Sequence, residues 1–246
     1  MLAPRSVLRV FFKRRANLRS GGQKPVVAVI FDMDGVLIDS NPTHAAAWIE
    51  YLSGLGLPYE GIDTWMAGKR NDQIMRILLG DTASDDEVFA HGAAKEALYR
   101  RMMEPHIEQR LMPGLRPFLD TLASFPLGLG SNAEPANVEF FLNKASLRGR
   151  FRAVVDGHQV EHPKPAPDIY LRVAQLMDVD PRECVIFEDS PSGIRAARAA
   201  GAKVVGVDRG GRQLDGTDLT IRDFADPALA AWLARGTQPA DELVRL

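Results

Sequence analysis

From Val26 onward the chain alternates between two patterns of apolar and polar positions. Short, continuous apolar runs occur at 26–31, 127–130, 153–155, 185–187 and 204–207. Runs of this length, rich in Val, Ile and Phe, predict strands buried on both faces of a parallel sheet. Helix-period segments lie between the later runs, over 114–124, 135–145, 167–177 and 190–200, and Gly201 stands where the last needs a C′ residue. Strand and helix alternating in this way predict an α/β fold with a doubly wound, mostly parallel, Rossmann-like sheet. Active sites of such sheets lie outside the carboxyl ends of the strands.

One stretch breaks the alternation. From about 43 to 111 there is no strand pattern but several amphipathic helices, the longest over 85–104 and ended by Pro105. Ser84 and Glu87 have the spacing of a capping box at its start. A helical insert directly after the first strand has to sit over the carboxyl edge of the sheet. The expected organisation is therefore a core of 25–41 and 112–246 and a helical cap of 42–111, hinged near 39–42 and 110–113. The segment from Arg209 is rich in Gly and Asp, turns helical over 227–235, and carries no chemical signal.

Composition narrows the classes. An apolar fraction of 46% supports a sizeable core, and a net charge of −2 gives no general attraction to nucleic acid or an anionic membrane. No apolar run reaches the roughly 18–20 residues that span a bilayer. The single cysteine, Cys184, excludes an internal disulfide framework and a Cys-rich zinc site, and its place before Val-Ile-Phe predicts an inert, packed thiol. A cytoplasmic location is expected. Residues 1–24 stand apart, with seven Lys/Arg and no acid. They read as a disordered basic tail, with an organellar transit peptide as the alternative, since the apolar patch 7–12 is too short and too broken for a secretory signal.

The candidate chemistry lies at the strand ends. Asp32 and Asp34 close the first strand as Asp-Met-Asp-Gly, and Glu188 and Asp189 close a later one. If these strands are neighbours, four carboxylates converge, and their mutual repulsion calls for a cation. Hard oxygen donors favour Mg²⁺, held by a few carboxylates together with water and substrate phosphate. Lys164, between Pro163 and Pro165, offers a fixed positive charge, and Ser131 and Asn132 offer a hydroxyl and an amide at another strand end. That set suits phosphoryl transfer, in which positioning and charge neutralisation do most of the catalytic work.

This constellation resembles the haloacid dehalogenase superfamily, whose four motifs occur here in order: Asp32-Met33-Asp34-Gly35-Val36, Ser131-Asn132, Lys164 and Glu188-Asp189. Within it, the phrases Phe31-Asp32-Met33-Asp34-Gly35-Val36, His162-Pro163-Lys164-Pro165-Ala166-Pro167-Asp168 and Phe187-Glu188-Asp189-Ser190 are similar to the β-phosphoglucomutase and small-sugar-phosphatase branch. The resemblance implies Asp32 as nucleophile and Asp34 as general acid and base. It implies Mg²⁺ on the Asp32 carboxylate, the Asp34 carbonyl and Asp189, with Glu188 acting directly or through water. Ser131, Asn132 and Lys164 would bind the phosphoryl group. An acid two residues after the nucleophile argues against dehalogenase and phosphonate-cleaving activities.

The implied cap (C1 type) contributes His44, twelve positions after Asp32, as a partner of the general acid, and the loop Gly68-Lys69-Arg70 as a contact to distal substrate groups. In the mutase pattern the arginine follows the glycine by three positions, whereas Arg70 follows Gly68 by two, which points away from sugar bisphosphates. The expected activity is therefore hydrolysis of a small phosphorylated metabolite by a monomer, with a β-phosphoglucomutase-like phosphohexomutase as the alternative. A non-catalytic binding module is the third reading. Trp48 reads as cap core, and His91, His106, His158 and His162 as surface or loop residues. Gly128-Leu129-Gly130-Ser131-Asn132-Ala133 matches a dinucleotide fingerprint but as a lone match is weak, and no serine-nucleophile elbow occurs.

Overall fold

The computed structural model describes residues 26–62, 70–80 and 82–235. The basic segment 1–24, Gly68 and Lys69 lie outside them. Among the described residues six parallel strands form one sheet: β1 (Ala28–Phe31), β2 (Leu127–Gly130), β3 (Ala153–Val155), β4 (Cys184–Glu188), β5 (Lys203–Val207) and β6 (Leu219–Ile221), in the order β3-β2-β1-β4-β5-β6. The chain reverses direction across the sheet at β1, so the crevice at its switch point opens between β1 and its neighbours.

Both faces of the sheet are buried, which is why the strands read as unbroken apolar runs. Val29, Phe31, Leu129, Val185, Phe187 and Val205 point into one core, where Phe31 stacks on Phe187 with centroids 5.1 Å apart. Ala28, Ile30, Val155, Cys184, Ile186 and Val204 point into the other. Cys184 is fully buried, and burial pushes its thiol up to about 12, so it is inert as expected. The glycines of the apparent dinucleotide fingerprint serve packing instead. A Cβ on Gly128 would come within 2.3 Å of Val173 Cγ1 on the helix that covers β2.

Between β1 and β2 run helices α1 (Asn41–Gly54), α2 (Asn71–Leu79), α3 (Asp85–Met103), a 3₁₀ turn at Glu104–His106, and α4 (Ile107–Arg110). The Ser84 hydroxyl accepts the Glu87 N–H at the start of α3. This insert has its own small apolar cluster of Trp48, Leu52, Ile62, Ile74, Met75 and Val88. The two chain crossings that join it to the sheet lie side by side. Ile38 and Leu111 form an antiparallel bridge, Asp39 N–H donates to the Arg110 carbonyl at 2.8 Å, and Met112 N–H donates to the Leu37 carbonyl at 3.0 Å.

The rest of the chain follows the expected rhythm through α5 (Leu115–Thr121), α6 (Pro135–Lys144), α7 (Asp168–Met177), α8 (Pro191–Ala199) and α9 (Pro227–Arg235). β6, with the half-buried pattern of an edge strand, was not anticipated in the Gly- and Asp-rich segment. Nor was that segment silent, because Arg209 reaches back to pair with Asp39 beside the crossings.

Candidate active site

Asp32 is the first residue beyond β1. Phe31 is in register with Phe187 of β4, and Asp32 N–H donates to the Phe187 carbonyl at 3.0 Å. Parallel pairing thus sets Asp32 next to Glu188 and Asp189. Asp32, Glu188 and Asp189 each offer a carboxylate oxygen, all within 4.8 Å of one another. Lys164 comes from the loop after β3 and closes the group. Its Nζ donates to Asp32 Oδ1 at 2.6 Å and to Glu188 Oε1 at 2.7 Å, and it is buried.

The electrostatics follow from burial. Desolvation lifts the Asp32 carboxyl to about 7 although Lys164 opposes it, and Glu188 and Asp34 add to the rise. Asp189 is raised well above its ordinary value, by burial and then by Glu188 and Asp32. For Glu188 burial acts in the same sense, but Lys164 and a set of donors outweigh it and hold its carboxyl low. Glu188 Oε1 accepts from Lys164 and from the Tyr170 hydroxyl, and Oε2 from the N–H groups of Asp189 and Ser190 and from the Ser190 hydroxyl. Lys164 is held above its ordinary value, its two carboxylate partners outweighing its burial.

These oxygens fit a hard divalent cation. Burial and neighbouring carboxylates raise both Asp32 and Asp189 above their ordinary values, the condition a bound cation relieves. Among the described residues Asp189 Oδ2 has no donor nearer than Asn41 Nδ2 at 3.4 Å. Gly35 forms the wall opposite, with a left-handed φ of +75°. Glu188 belongs to the same cluster, and its two oxygens already accept from five donors.

The fourth expected acid is placed differently. Asp34 turns its carboxylate toward the insert rather than into the three-acid cluster. Oδ1 accepts from the Ser40 hydroxyl at 2.6 Å and lies 3.7 Å from His44 Nε2. His44 was singled out by its offset from Asp32, and it does face Asp34, stacked flat on Tyr99 at 3.7 Å. Its other nitrogen, Nδ1, lies 3.0 Å from Lys95 Nζ.

Ser131 is the first residue beyond β2, its N–H bonded to the Val155 carbonyl and its hydroxyl accepting from Ala133 N–H at 3.1 Å. Asn132 Oδ1 accepts the Lys164 N–H at 3.2 Å, tying the β2 loop to the lysine loop. Asp32, Asp34, Asp189, Lys164, Ser131, Asn132 and His44 line one cavity of about 1020 Å³ beneath the insert, together with Arg70, Asn71, Phe89 and His158. His158 is therefore a cavity residue, where a plain loop position was expected. Arg70 lines the cavity with its guanidinium paired to Asp72 at 3.0 Å.

Lys95, Glu96 and Asn137 were not foreseen. Lys95 and Glu96 belong to a face of α3 whose buried positions include Val88, Gly92, Tyr99 and Met103, a helical stripe in which two charges are out of place. That anomaly was the readable signal. Asn137, in the first turn of α6, gave none.

Residues 26–201 match the haloacid dehalogenase-like hydrolase family. The chain is 38% identical over 185 residues to fructose-1-phosphate phosphatase YqaB of Escherichia coli K12, covering 73% of this chain and 95% of that one. It is 29% identical to the β-phosphoglucomutase of Bacillus subtilis 168, covering 82% and 92%. A family IA, variant 3 hydrolase of this kind from Entamoeba histolytica superposes with a TM-score of 0.74 at 28% identity, over 85% of this chain and 99% of that one. The chain belongs to the haloacid dehalogenase-like hydrolases.

Proposed function

We propose that the protein is a Mg²⁺-dependent phosphatase that hydrolyses a small, sugar-type phosphomonoester through an aspartyl-phosphate on Asp32. The observation that carries this reading is the Lys164 ammonium held between Asp32 and Glu188 at 2.6 and 2.7 Å, beside Asp189 and at the floor of a cavity large enough for a sugar phosphate. The fructose-1-phosphate phosphatase relative supports the substrate class.

On this reading the Asp32 and Asp189 carboxylates and the Asp34 carbonyl would hold Mg²⁺, which would supply positive charge against the acids and the phosphoryl oxygens. Lys164, Ser131 and Asn132 bind the phosphoryl group, and Glu188 fixes Lys164. An Asp32 oxygen attacks phosphorus while the bond from phosphorus to the ester oxygen breaks, and Asp34 gives that oxygen its proton. Asp34 then takes a proton from water, which attacks the acyl phosphate, and inorganic phosphate leaves as Asp32 is restored. Acid–base help of this kind contributes about 10²–10⁴-fold. The insert acts as a cap that brings His44 to Asp34 and, through Arg70 and the neighbouring Gly68 and Lys69, meets the rest of the substrate. The enzyme works, on this proposal, as a cytoplasmic monomer on a small metabolite without nucleic-acid or membrane partners, and its net charge of −2 gives no general attraction to polyanions.

A panel of phosphate esters assayed for Mg²⁺-dependent phosphate release, with Asp32→Asn as control, tests the proposal. Absence of turnover across the panel sinks it and favours the binding module. The mutase alternative shares phospho-Asp32 and differs in the acceptor, and the Bacillus relative is the observation that keeps it in view. Isomerisation of β-glucose 1-phosphate outpacing phosphate release would decide for it.

A further inference from the structure

The first turn of α6 meets the insert through a buried polar contact that the phosphoryl-transfer groups do not use. Asn137, 2% exposed, donates through Nδ2 to Glu96 Oε2 at 2.6 Å and accepts through Oδ1 from Arg100 at 2.7 Å. Glu96 and Arg100 lie one turn apart on α3, so a single core side chain engages two successive rungs of the insert. The amide donates to the carboxylate through its nitrogen and accepts from the guanidinium through its oxygen at once. A second bond of the same type lies alongside, from Asn71 Nδ2 of α2 to Glu134 Oε1, which precedes α6, at 3.3 Å.

Glu96 is also where the contact meets the chemistry. Its Oε1 accepts from Lys95 Nζ at 2.6 Å and from Asn71 Nδ2 at 2.7 Å. Lys95, 1% exposed, lies 3.0 Å from His44 Nδ1, whose other nitrogen faces Asp34. A buried ammonium without its carboxylate is costly, so the place of Lys95, and with it that of His44, depends on Glu96 staying where Asn137 holds it. Lys95, Glu96 and His44 all belong to the insert, whereas Asn137 and Asp34 belong to the sheet unit. Unseating the insert would part both the Glu96–Asn137 bond and the His44–Asp34 approach.

We propose that Asn137 is the core half of a latch: it holds the cap closed through Glu96 and Arg100, and so positions Lys95 and His44 against Asp34. Asn137 is a positioning residue and touches no reacting atom. The proposal rests on the reading of the insert as a cap, and its test has a readout independent of activity.

Spin labels on Ile77→Cys in the insert and Leu171→Cys in the core, both at exposed positions, report the cap–core distance in the full chain, and buried Cys184 stays unlabelled. Asn137→Asp removes the donor and sets a second carboxylate against Glu96. It should reduce the population at the closed distance at least threefold, with the native melting profile kept. Adding Glu96→Gln reverses donor and acceptor across the same gap, and the pair should restore the closed population to within twofold of wild type. In kinetics, Asn137→Asp should lower kcat/KM for a sugar phosphate tenfold or more, mainly through kcat. An unchanged distance distribution in Asn137→Asp, or a double variant as open as the single one, overturns the latch. If Asn137→Asp does not fold, Glu96→Gln alone is read in the same way. A wild-type chain with no phosphatase activity but a normal latch response sinks the functional reading and leaves the latch standing.

Discussion

Gly35 and Asp189 stand so close that a Cβ on the glycine would lie 1.9 Å from Asp189 Oδ2. The two residues are far apart in sequence, and only parallel pairing of β1 with β4 brings them together. The glycine is required twice, by its φ of +75° and by the carboxylate that occupies the space of its missing side chain. Gly35→Ala should therefore displace Asp189 and cut Mg²⁺-dependent phosphate release by at least a hundredfold. Its stability should fall by about 1–3 kcal/mol, the range for a strained backbone conformation. Assay and melting curve on the same preparation check both, and an active variant that melts like wild type rejects the role given to Gly35.

Lys164 offers a sharper separation of stability from activity. It is buried between two carboxylates, and deleting it leaves both without their cation. Breaking a buried pair from one side costs about 3–5 kcal/mol, and loss of one electrostatic donor to a reacting group costs about 10²–10³ in rate. Lys164→Met should show both losses. Added Mg²⁺ should recover part of the stability, because it can neutralise Asp32, and none of the rate. Denaturant titrations with and without Mg²⁺, beside phosphate-release assays, measure the difference.

The acids predict a cation affinity that depends on pH. Burial lifts the Asp32 carboxyl to about 7 and raises Asp189 well above its ordinary value, so as pH falls each takes up a proton that a cation must displace. A carboxyl raised in the folded state destabilises that state as pH climbs through the unfolded value toward the folded one. The Mg²⁺-induced rise in melting temperature should accordingly be small at pH 5.5 and larger at pH 8. Asp189→Asn should melt higher than wild type in the absence of metal, since it removes one of the repelling charges, and should lose most of the Mg²⁺ response. Equal Mg²⁺ shifts at the two pH values would contradict the placement of the cation among these acids.

How much of this could be read from the chain depends on the range of the interaction. The strands at 127–130 and 153–155 were legible because burial on both faces leaves no polar position in the pattern, and the site acids because each ends such a strand. β6 was not, since Leu219–Ile221 is three residues long and only partly buried. Direction was lost as well. Asp34 and Asp32 are two residues apart, and nothing local says that Ser40 and His44 draw one carboxylate toward the insert while Lys164 draws the other to the sheet. Asn137 is the extreme case, because its partners Glu96 and Arg100 lie some forty residues upstream and its own neighbours read as an ordinary helix start.

Glu96 gives the last prediction, on stability and pH. Burial alone would raise its carboxyl, but His44, Lys95 and the Asn137 amide outweigh that and hold it at about 2, below an ordinary value of 4.5. A group depressed in the folded state contributes stability that is fully present above its unfolded value and is lost as pH falls through the folded one. The window here is therefore about pH 4.5 down to 2. At 1.36 kcal/mol per unit, the contribution is at most on the order of 3 kcal/mol. The net is smaller, because burial pulls the Lys95 ammonium below its ordinary value against the pull of Glu96, so part of the gain is returned by its partner. Glu96→Gln should be less stable than wild type at pH 7 by about 1–3 kcal/mol, and the gap should narrow steadily between pH 4.5 and pH 2.5. Urea unfolding across that range measures it. A gap that stays constant with pH would mean that Glu96 acts through its shape alone, and that its charge does not hold Lys95 beside His44.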